Sequence, residues 1–504
     1  MKIIDLLANS AAGYPERLAV KNGDIEVTYS RLLSCVRSLS EILASAGCRS
    51  GVKVAVVLNN SIEYLISFFA ISAANGIILP LSARMTPYEI AAYIDKADIS
   101  IVIAGQSYLN RLSIAPVNLD KITTVCIQYY GNNNLKLETN IRRNNKPDDE
   151  ENKDVALMVP TSGTTGLSKI VMLTDNQLIS NMIAYRSLMN FDAPNVVCCS
   201  LAMHHIYCIC AQILTHTSLA DTFIINDRLF FIKDFLKTVD TDYVTISAFV
   251  PFMAILLAEF SEPHKFSLET LKCITLSGAK TPKSTYKLLT SKYPTVQFIN
   301  MYGMTEAGSR ISAAAPFPQQ FPIESVGRPI PTVNVRIVND NGNVLPANRI
   351  GEVQVKSTGV MKGYYKQSTL TAQTIIDGWL KTGDLGKLDE NGNLFLLGRN
   401  KDTINSGGEN LYPSEIEDCL LEHPAIREAT VVAKEDRLLQ EVPCAFVVKK
   451  MSSENITAND IKLFCKNRLS SRKIPVCIKF VDSLPRLTTS KIDQNLLKKM
   501  TGNL

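Results

Sequence analysis

The sequence has no long run of basic residues, and its net charge is only +5 over 504 residues. A protein that binds along a nucleic-acid backbone needs a dense positive surface, so charge gives no argument for DNA or RNA binding.

Asp5 and Glu16 interrupt the apolar start, so we expect no secretory signal. The hydrophobic content of 46% is enough to build large cores, and the length favours two to four domains.

The twelve cysteines have no repeating spacing. Four of them are close in sequence, at Cys198, Cys199, Cys208 and Cys210, but they lack a paired C-x-x-C and interleave with apolar residues. Buried thiols are therefore favoured over metal ligands. Without a secretory signal, reduced thiols predict a cytoplasmic protein.

An unbroken apolar run of membrane-spanning length is also missing. The segment "YLISFFAISAANGIILPL" from Tyr64 to Leu81 approaches that length, but Asn75, Gly76 and Pro80 divide it. The two pieces are typical of a buried helix followed by a short buried strand. We therefore expect no transmembrane segment.

Strand-like apolar runs alternate with amphipathic stretches of helix length in the first part of the chain, which predicts parallel sheets. The runs are "VKVAVVL" (52–58), "ISIVIAG" (99–105) and "TTVCIQ" (123–128). Residues 130–153 are rich in asparagine and charge and have almost no apolar periodicity. We expect an exposed connection there, and with it the first subdomain boundary.

Short strands and two Asn-Gly turns follow residue 323, which predicts a β-rich subdomain. Beyond Arg399 a helix, two strands and a final basic helix fill about 105 residues, enough for a small separate domain. The sequence thus predicts an α/β protein with two domains. Residues 1–398 form a large N-terminal domain of mainly parallel sheets flanked by helices, with the β-rich subdomain, and residues 399–504 form a small α+β C-terminal domain.

The loop "PTSGTTGLSKI" at residues 160–170 combines glycines, hydroxyl side chains and a lysine, a composition suited to binding phosphate. It does not have the Walker A pattern. Counting from Gly163, Ser168 stands where the second glycine belongs, and Ile170 stands where a hydroxyl should follow Lys169. A nucleotide at this loop would be held in a different way.

Other stretches complete a pattern that resembles the adenylate-forming acyl-CoA synthetase family over nearly the whole chain. They are "TSGTTGLSK" (161–169), "AMHHIYC" (202–208), "VPFM" (250–253), "LSGAKTP" (276–282), "MYGMTEAG" (301–308), "GWLKTGD" (378–384), "GRNKDTINSGGENLYPSEIE" (398–417) and "LPRLTTSKI" (484–492). One such motif would be weak, but eight occur here in the family's order.

The resemblance implies an AMP-forming acid–thiol ligase. Such an enzyme joins a carboxylic acid to ATP as acyl-AMP with release of pyrophosphate, and then transfers the acyl group to a thiol. The implied cofactors are ATP, Mg²⁺ and coenzyme A as co-substrate, and the C-terminal domain is expected to be mobile and catalytic. Lys401 lies at the hinge position between the domains.

The resemblance also implies roles for residues around the nucleotide. In the glycine loop, backbone amides and side chains would neutralise phosphate charge; its residues are Thr161, Ser162, Gly163, Thr164, Thr165, Gly166 and Lys169. Tyr302, Gly278 and Ala279 would hold adenine. Asp384 would accept the ribose hydroxyls, and Arg399 would support the same ribose.

Catalytic roles are implied for four residues. Thr305 would reach the α-phosphate, and Glu306 would bind Mg²⁺, a cation that prefers oxygen ligands. Lys491 would stabilise the transition state of adenylation. His205 would border the acyl pocket.

Further family positions complete the implied site. The acyl pocket would also be bordered by Tyr207, Met301 and Met304, and Gly407 and Gly408 lie in the "SGGEN" loop that the C-terminal domain would present in the second step.

The chain departs from the family pattern at several positions. Ser168 and Ile170 replace proline and glycine in the loop, and Ser490 replaces the glycine before Lys491. Ala202 and Cys208 replace proline and glycine around His205. These changes keep the hydrogen-bond donors but alter backbone stiffness, so a divergent active member is favoured over an inactive homologue.

The acid itself is not fixed by the sequence. "AMHHIYC" has no aspartate to hold an α-ammonium group, which favours a fatty or aryl acid over an amino acid. Coenzyme A is the simplest thiol, and a separate acyl carrier protein is the alternative. A non-catalytic nucleotide-binding homologue and a luciferase-like use of the adenylate are further alternatives.

Overall fold

The computed structural model describes most of the chain. The residues it describes are 1–113, 121–131, 134–142, 149–161, 169–189, 191, 194–226, 230–315, 321–450, 453, 456–487 and 492–501. Several residues of the predicted site, including Lys491 and most of the glycine loop, lie outside these ranges.

The strands run through the whole described chain. They are β1 (Leu18–Asn22), β2 (Ile25–Thr28), β3 (Lys53–Val57), β4 (Ile77–Leu81), β5 (Ile101–Ala104), β6 (Thr123–Tyr129), β7 (Leu135–Asn140), β8 (Val155–Pro160), β9 (Ile170–Thr174), β10 (Val196–Cys199), β11 (Thr222–Ile225), β12 (Ile246–Phe249), β13 (Cys273–Leu276), β14 (Gln297–Tyr302), β15 (Ser312–Ala313), β16 (Arg328–Pro329), β17 (Val333–Val338), β18 (Gly351–Ser357), β19 (Gly363–Tyr364), β20 (Ile375–Ile376), β21 (Trp379–Leu388), β22 (Leu394–Arg399), β23 (Ile404–Ser406), β24 (Glu409–Leu411), β25 (Ile426–Asp436), β26 (Gln440–Lys449) and β27 (Cys477–Phe480).

Helices connect and cover these strands. They are α1 (Ile3–Gly13), α2 (Tyr29–Ser45), α3 (Ile62–Ala73), α4 (Pro87–Lys96), α5 (Gln106–Leu112), α6 (Asp175–Met189), α7 (Ile206–Cys208), α8 (Thr215–Thr217), α9 (Ile232–Asp242), α10 (Pro251–Glu259), α11 (Lys283–Lys292), α12 (Ser368–Thr374), α13 (Pro413–Leu421), α14 (Ala458–Lys466) and α15 (Gln494–Thr501). A π-helix at Ile209–Leu214 joins α7 to α8.

Two large sheets form the N-terminal part. The first has the order β19-β9-β8-β4-β3-β5-β6-β7, and the second has the order β16-β15-β14-β13-β12-β10-β11-β1-β2. Their central strands pair in parallel and are apolar on both faces, because helices cover both sides. The strand Lys53–Val57, for example, is buried along its whole length.

The predicted split of the apolar segment 64–81 is confirmed. Residues Ile62–Ala73 form a buried helix that begins at Ser61, whose side chain accepts a hydrogen bond from the Tyr64 N–H. The chain leaves this helix through Asn75, at a φ of 60°, and enters strand β4. In the part of the chain that the structure describes, no helix combines the length and apolar character needed to cross a bilayer.

The predicted subdomain boundary within residues 130–153 is wrong. Strand β7 lies in this segment and pairs with β6 in antiparallel orientation. Strand β8, which follows the segment, pairs with β4, which precedes it. The segment therefore borders a single sheet and separates no subdomains.

The β-rich part after residue 323 is confirmed. Its antiparallel sheet has the order β17-β18-β21-β20, and β22 pairs with β21. Both predicted Asn-Gly segments form turns with the same hydrogen bonds. The side chains of Asn339 and Asp389 each accept from the backbone N–H groups two and four residues later.

The C-terminal part forms a separate sheet with the order β24-β23-β26-β25, and β27 pairs with β26. Helices α13 and α14 cover one face, where Ile416, Val431 and Ile461 share a buried cluster. Helix α15 covers the other face through Leu497. The predicted α/β fold with a small α+β C-terminal domain is confirmed, and its boundary at residues 398 and 399 stays a prediction.

A few side chains connect the C-terminal domain to the N-terminal one. The Lys280 ammonium is 2.6 Å from an Asp418 carboxylate oxygen. The Arg486 guanidinium lies 5.1 Å from the centre of the Phe252 ring. The Ser414 hydroxyl donates to the Leu397 carbonyl. These contacts place the end of the chain beside α10 and the carboxyl edge of the second sheet.

Candidate active site

The glycine loop connects two antiparallel strands. Strands β8 and β9 pair through Pro160 and Ile170, and the Thr161 N–H donates to the Lys169 carbonyl over 2.8 Å. A Walker A loop runs from a strand into a helix, so this hairpin agrees with the absence of that pattern. Ser162, Gly163, Thr164, Thr165 and Gly166 lie outside the described residues, and their contact with phosphate stays a prediction.

The predicted ribose residues lie together at the end of strand β14. The Tyr302 hydroxyl donates to one carboxylate oxygen of Asp384, and the Arg399 Nε is 2.9 Å from the other. The pairing of β21 with β22 places Asp384 directly opposite Arg399. Burial, followed by the charge of Asp384, raises the pKa of the Tyr302 phenol well above its usual range. The two oxygens of the Asp384 carboxylate thus contact one neighbour each.

The predicted adenine residues lie on the same edge of the second sheet. Gly278 and Ala279 follow strand β13, as Tyr302 ends strand β14. A cavity of about 30 Å³ is lined by Ala279, Asn300 and Met301, among others. Ligands of open α/β sheets bind outside the carboxyl ends of the strands, and these residues occupy that position.

Thr305 and Glu306 begin a short 3₁₀ helix shortly after the end of strand β14. The Tyr364 hydroxyl donates to a Glu306 carboxylate oxygen over 3.0 Å, and the Lys169 ammonium lies 4.9 Å from the centre of the Tyr364 ring. Burial, followed by the charge of Glu306, raises the pKa of the Tyr364 phenol. Tyr364 thus links the loop lysine to the predicted magnesium ligand.

Tyr364 is a site residue that the sequence reasoning missed. Strand β19 pairs with β9, which places Tyr364 opposite Val171 and beside the glycine loop. The nearest sequence signal was the pair of tyrosines in "KGYYKQ", which no predicted motif included.

Glu306 is suited to a hard cation. Within the described part of the chain its carboxylate forms no ion pair, and one of its oxygens already accepts a hydrogen bond from a neutral phenol. A carboxylate oxygen of this kind fits Mg²⁺, which binds through few protein carboxylates and through phosphate oxygens. The metal role of Glu306 stays a prediction.

His205 lies at the start of α7, where its Nδ1 accepts the Tyr207 backbone N–H over 3.2 Å. The Tyr207 side chain is buried, and its hydroxyl hydrogen-bonds to Thr275 on strand β13. Burial raises the pKa of Tyr207 to about 12. Met301 is buried as well, whereas Met304 is half-buried. Their contact with an acyl group stays a prediction.

The four clustered cysteines lie buried, as predicted. Burial raises the pKa of Cys198 and that of Cys210 to about 12, so both stay protonated. The Cys208 thiol donates to the Gln212 side chain over 3.3 Å. Cys208 and Cys210 lie in the helical segments that follow His205, and Cys198 and Cys199 lie in strand β10.

Gly407 and Gly408 form the turn between β23 and β24, with φ values of +59° and +83°. A two-residue hairpin turn of this kind needs positive φ at both positions, which glycine adopts without strain. The positive φ values account for the presence of glycine at both positions. A role for these glycines in thioester formation stays a prediction.

Lys491 lies outside the described residues, but its neighbours do not. Arg486 and Ile492 form a β-bridge on either side of the loop that carries it. Arg486, which precedes this loop, contacts Phe252 of helix α10 in the N-terminal domain.

Comparison with known proteins agrees with this geometry. The family model described as AMP-binding enzyme matches residues 7–365, and the AMP-binding enzyme C-terminal domain matches residues 415–491. A 2-succinylbenzoate–CoA ligase of Geobacillus sp. (strain WCH70) is 32% identical over 491 residues, which cover 97% of this chain and 96% of that protein. The enzyme of the same name from Bacillus cereus (strain ZK / E33L) is 30% identical over 495 residues and covers 97% of both chains.

Solved structures show the same architecture. The o-succinylbenzoate CoA synthetase MenE of Bacillus subtilis, in complex with ATP and magnesium ion, has a TM-score of 0.83 and 27% identity; the match covers 98% of this chain and 99% of that one. The anthranilate CoA ligase AuaEII, in complex with anthranoyl-AMP, has a TM-score of 0.88 at 20% identity, over 99% of this chain and 97% of that one, and supports the fold alone. The chain belongs to the adenylate-forming AMP-binding enzyme family, and the prediction of an AMP-forming acid–thiol ligase is confirmed.

Proposed function

We propose that this chain converts an aryl carboxylic acid to its coenzyme A thioester in two steps. In the first step, a carboxylate oxygen attacks the α-phosphorus of ATP, and the bond to the β-phosphate oxygen breaks to release pyrophosphate. In the second step, the sulfur of coenzyme A attacks the acyl carbon, its proton is lost to solvent, and AMP leaves. ATP, Mg²⁺ and coenzyme A are the co-reactants.

The observation that supports the first step is the arrangement of two polar clusters around the end of β14. Tyr302, Asp384 and Arg399 form one cluster, suited to a ribose. Glu306 and Tyr364 form the other, with Lys169 over the tyrosine ring. The clusters are joined by the short stretch from Tyr302 to Glu306, so a nucleotide could place its ribose at one and its phosphates at the other.

The charges of the second cluster suit phosphoryl chemistry. Carboxylate attack on phosphorus brings negative charges together, and fixed cations lower that barrier. Lys169 supplies one cation, and Lys491 is proposed to supply another. Mg²⁺ held by Glu306 would neutralise phosphate charge.

An aryl acid is favoured over a fatty acid by the relatives, whose names specify 2-succinylbenzoate. Coenzyme A is the acceptor that the names of these relatives give, which favours it over an acyl carrier protein. We further propose that the small C-terminal domain rotates between the two steps and serves each in turn.

A panel of carboxylic acids tests the proposal. Pyrophosphate release is measured with ATP and Mg²⁺ for aryl acids and for aliphatic acids of matched size, and thioester is measured by mass spectrometry with coenzyme A or an acyl carrier protein. We expect aryl acids to give both products with coenzyme A. Thioester on the carrier protein alone would replace coenzyme A as acceptor, and the absence of pyrophosphate with every acid would favour a non-catalytic homologue.

A further inference from the structure

Arg310 is a buried cation with no ion-pair partner in the part of the chain that the structure describes. Its side chain is 1% exposed and is the largest of the fully buried side chains in that part. The guanidinium lies 4.9 Å from the centre of the Tyr185 ring and 4.4 Å from that of Tyr207. Its Nη1 donates to the Ser309 hydroxyl over 3.0 Å. Among the described residues, Nε and Nη2 have no hydrogen-bond partner, and no carboxylate forms an ion pair with Arg310.

Such a group is expensive to keep in a folded protein. Burial of a charge without a counter-charge carries a large desolvation penalty, and contacts with aromatic rings offset only part of it. The two unused nitrogens also have a specific geometry. Nε and Nη2 form one side of the guanidinium fork, and that side binds the two oxygens of a single carboxylate through parallel hydrogen bonds.

The backbone around Arg310 is built to hold it in this position. Ser309 adopts a φ of 104°, a conformation that is strained for a residue other than glycine. The buried Asn181 side chain accepts the Arg310 N–H and donates to the Arg310 carbonyl. Gly303 is needed at the start of the turn, because a Cβ there would lie 1.5 Å from the Ser309 carbonyl oxygen. Strain of this kind persists where the surrounding structure enforces it, often at functional sites.

The position of Arg310 relates it to the acid rather than to the nucleotide. It lies four residues after Glu306, and its guanidinium contacts Tyr207, which follows His205 by two residues. His205 and Tyr207 are predicted to border the acyl pocket. Arg310 therefore lies next to the predicted wall of this pocket, where a ligand could meet its unpaired nitrogens.

We propose that Arg310 binds a second anionic group of the acid substrate, remote from the carboxylate that becomes the acyl-adenylate. The substrate class is thus an aryl dicarboxylic acid. This inference rests on the proposed ligase function and adds to it a determinant of specificity. An acid without the second carboxylate would leave the guanidinium unpaired and would bind more weakly.

The test compares dicarboxylic acids with analogues that lack one carboxylate. A suitable set is 2-succinylbenzoate, 3-benzoylpropanoate without the ring carboxylate, and 2-butanoylbenzoate without the chain carboxylate. The wild-type chain, Arg310→Met and Arg310→Lys are compared by kcat/KM for pyrophosphate release. Arg328→Met is the matched control, because Arg328 is exposed and hydrogen-bonds through its Nε to Asn393 in the β-rich part.

We expect the wild-type chain to prefer the dicarboxylic acid over the reactive monocarboxylic analogue by about 100-fold or more, the effect of a charge-assisted bidentate pair. Arg310→Met should remove most of this preference by lowering kcat/KM for the dicarboxylic acid, with kcat/KM for the analogue nearly unchanged. Arg310→Lys should retain part of it. Equal losses for both acids, or an unchanged preference, would overturn the proposal.

Thermal unfolding without substrate separates a binding role from a structural one. Because Arg310→Met replaces an unpaired buried charge with an apolar chain of similar length, the melting temperature should stay the same or rise. A large fall would assign Arg310 a structural role and overturn the proposal. If none of the tested acids gives pyrophosphate release with the wild-type chain, the proposed ligase function fails. The Arg310 inference is then decided by whether the dicarboxylic acid raises the melting temperature of the wild-type chain more than that of Arg310→Met.

Discussion

Replacement of Asp384 by asparagine tests the nucleotide site most directly. Asp384 accepts the Tyr302 hydroxyl and pairs with Arg399, and it is predicted to accept the ribose hydroxyls of ATP. Asparagine has the same shape, so Asp384→Asn removes the charge with little change in volume. The fold should survive although the Asp384 side chain is only 10% exposed, because the amide oxygen can still accept the Tyr302 hydroxyl and the Arg399 side chain, 43% exposed, keeps its solvation; the net loss should be below about 1 kcal/mol.

The expected effect on activity is much larger than the effect on stability. A hydrogen bond to a charged acceptor contributes about 1.5–3 kcal/mol, and an amide keeps only one oxygen to accept. Loss of one such bond in the transition state lowers kcat/KM for ATP roughly 10- to 150-fold. The melting temperature should change by only a few degrees, about what a loss below 1 kcal/mol gives.

Deoxy analogues of ATP make the assay specific for the ribose. Pyrophosphate release is measured with ATP, 2′-deoxy-ATP and 3′-deoxy-ATP for the wild-type chain and for Asp384→Asn. Glu390→Gln is the matched control, because Glu390 is exposed at the tip of the same β21–β22 hairpin and loses the same charge. The wild-type chain and the control should lose activity with the analogue that lacks the hydroxyl contacting Asp384. Asp384→Asn, whose activity with ATP is already low, should lose little more with that analogue.

Two outcomes would refute this reasoning. If Asp384→Asn and the wild-type chain have the same kcat/KM for ATP, Asp384 does not contact the nucleotide. If both proteins lose activity equally with each deoxy analogue, the carboxylate and the hydroxyls are not coupled, and the ribose lies elsewhere.

Three further predictions concern other groups. Glu306→Gln should lower pyrophosphate release and raise the Mg²⁺ concentration that half-maximal activity requires, and unchanged metal dependence would remove Glu306 from the site. Lys491→Ala should lose about 3 kcal/mol of transition-state stabilisation in adenylation, which lowers the rate of acyl-AMP formation roughly 100-fold. The same variant should convert synthetic acyl-AMP and coenzyme A to thioester at a near-normal rate. Equal losses in both steps would contradict a role in adenylation alone. Burial, followed by the charge of Arg84, lowers the pKa of His204 to about 4. The unfolded chain therefore binds this proton more readily than the folded chain does. As the pH falls from about 6.5 to about 4, the free energy of unfolding should fall by at most about 1.4 kcal/mol per pH unit. Urea unfolding across this range should show a shallower fall for His204→Gln than for the exposed-site control His264→Gln, and parallel curves would exclude His204 as the cause.

Local patterns were enough to predict the elements of the fold. The parallel strand Lys53–Val57 is buried along its whole length and is apolar from Val54 to Val57, and the two Asn-Gly turns carry their own side-chain hydrogen bonds. The cluster of Asp384 and Arg399 was predicted through family motifs, and the pairing of β21 with β22 brings these residues together.

The wrong predictions concern partners that are remote in sequence. Composition predicted a boundary at residues 130–153, but the parallel pairing of β4 with β8 joins strands on both sides of it. Strand β7 was missed because it is an edge strand with mostly exposed or half-buried residues and a weak apolar pattern.

The burial of Arg310 was missed for the same reason. Arginine is exposed by default, and the rings that cover it belong to Tyr185 and Tyr207, more than about 100 residues earlier in the chain. No local pattern indicates that such distant residues meet.

The position of β1 in the second sheet has a consequence for synthesis on the ribosome. Val20 of β1 pairs with Phe223 of β11, roughly 200 residues later in the chain, and the whole first sheet up to β9 lies between them. At a synthesis rate of about 5–20 residues per second, β1 waits on the order of 10–40 s before its partner exists. During that interval β1 has only β2 as a strand partner and its edge toward β11 stays open, and a chaperone that binds nascent chains would find its target at this edge.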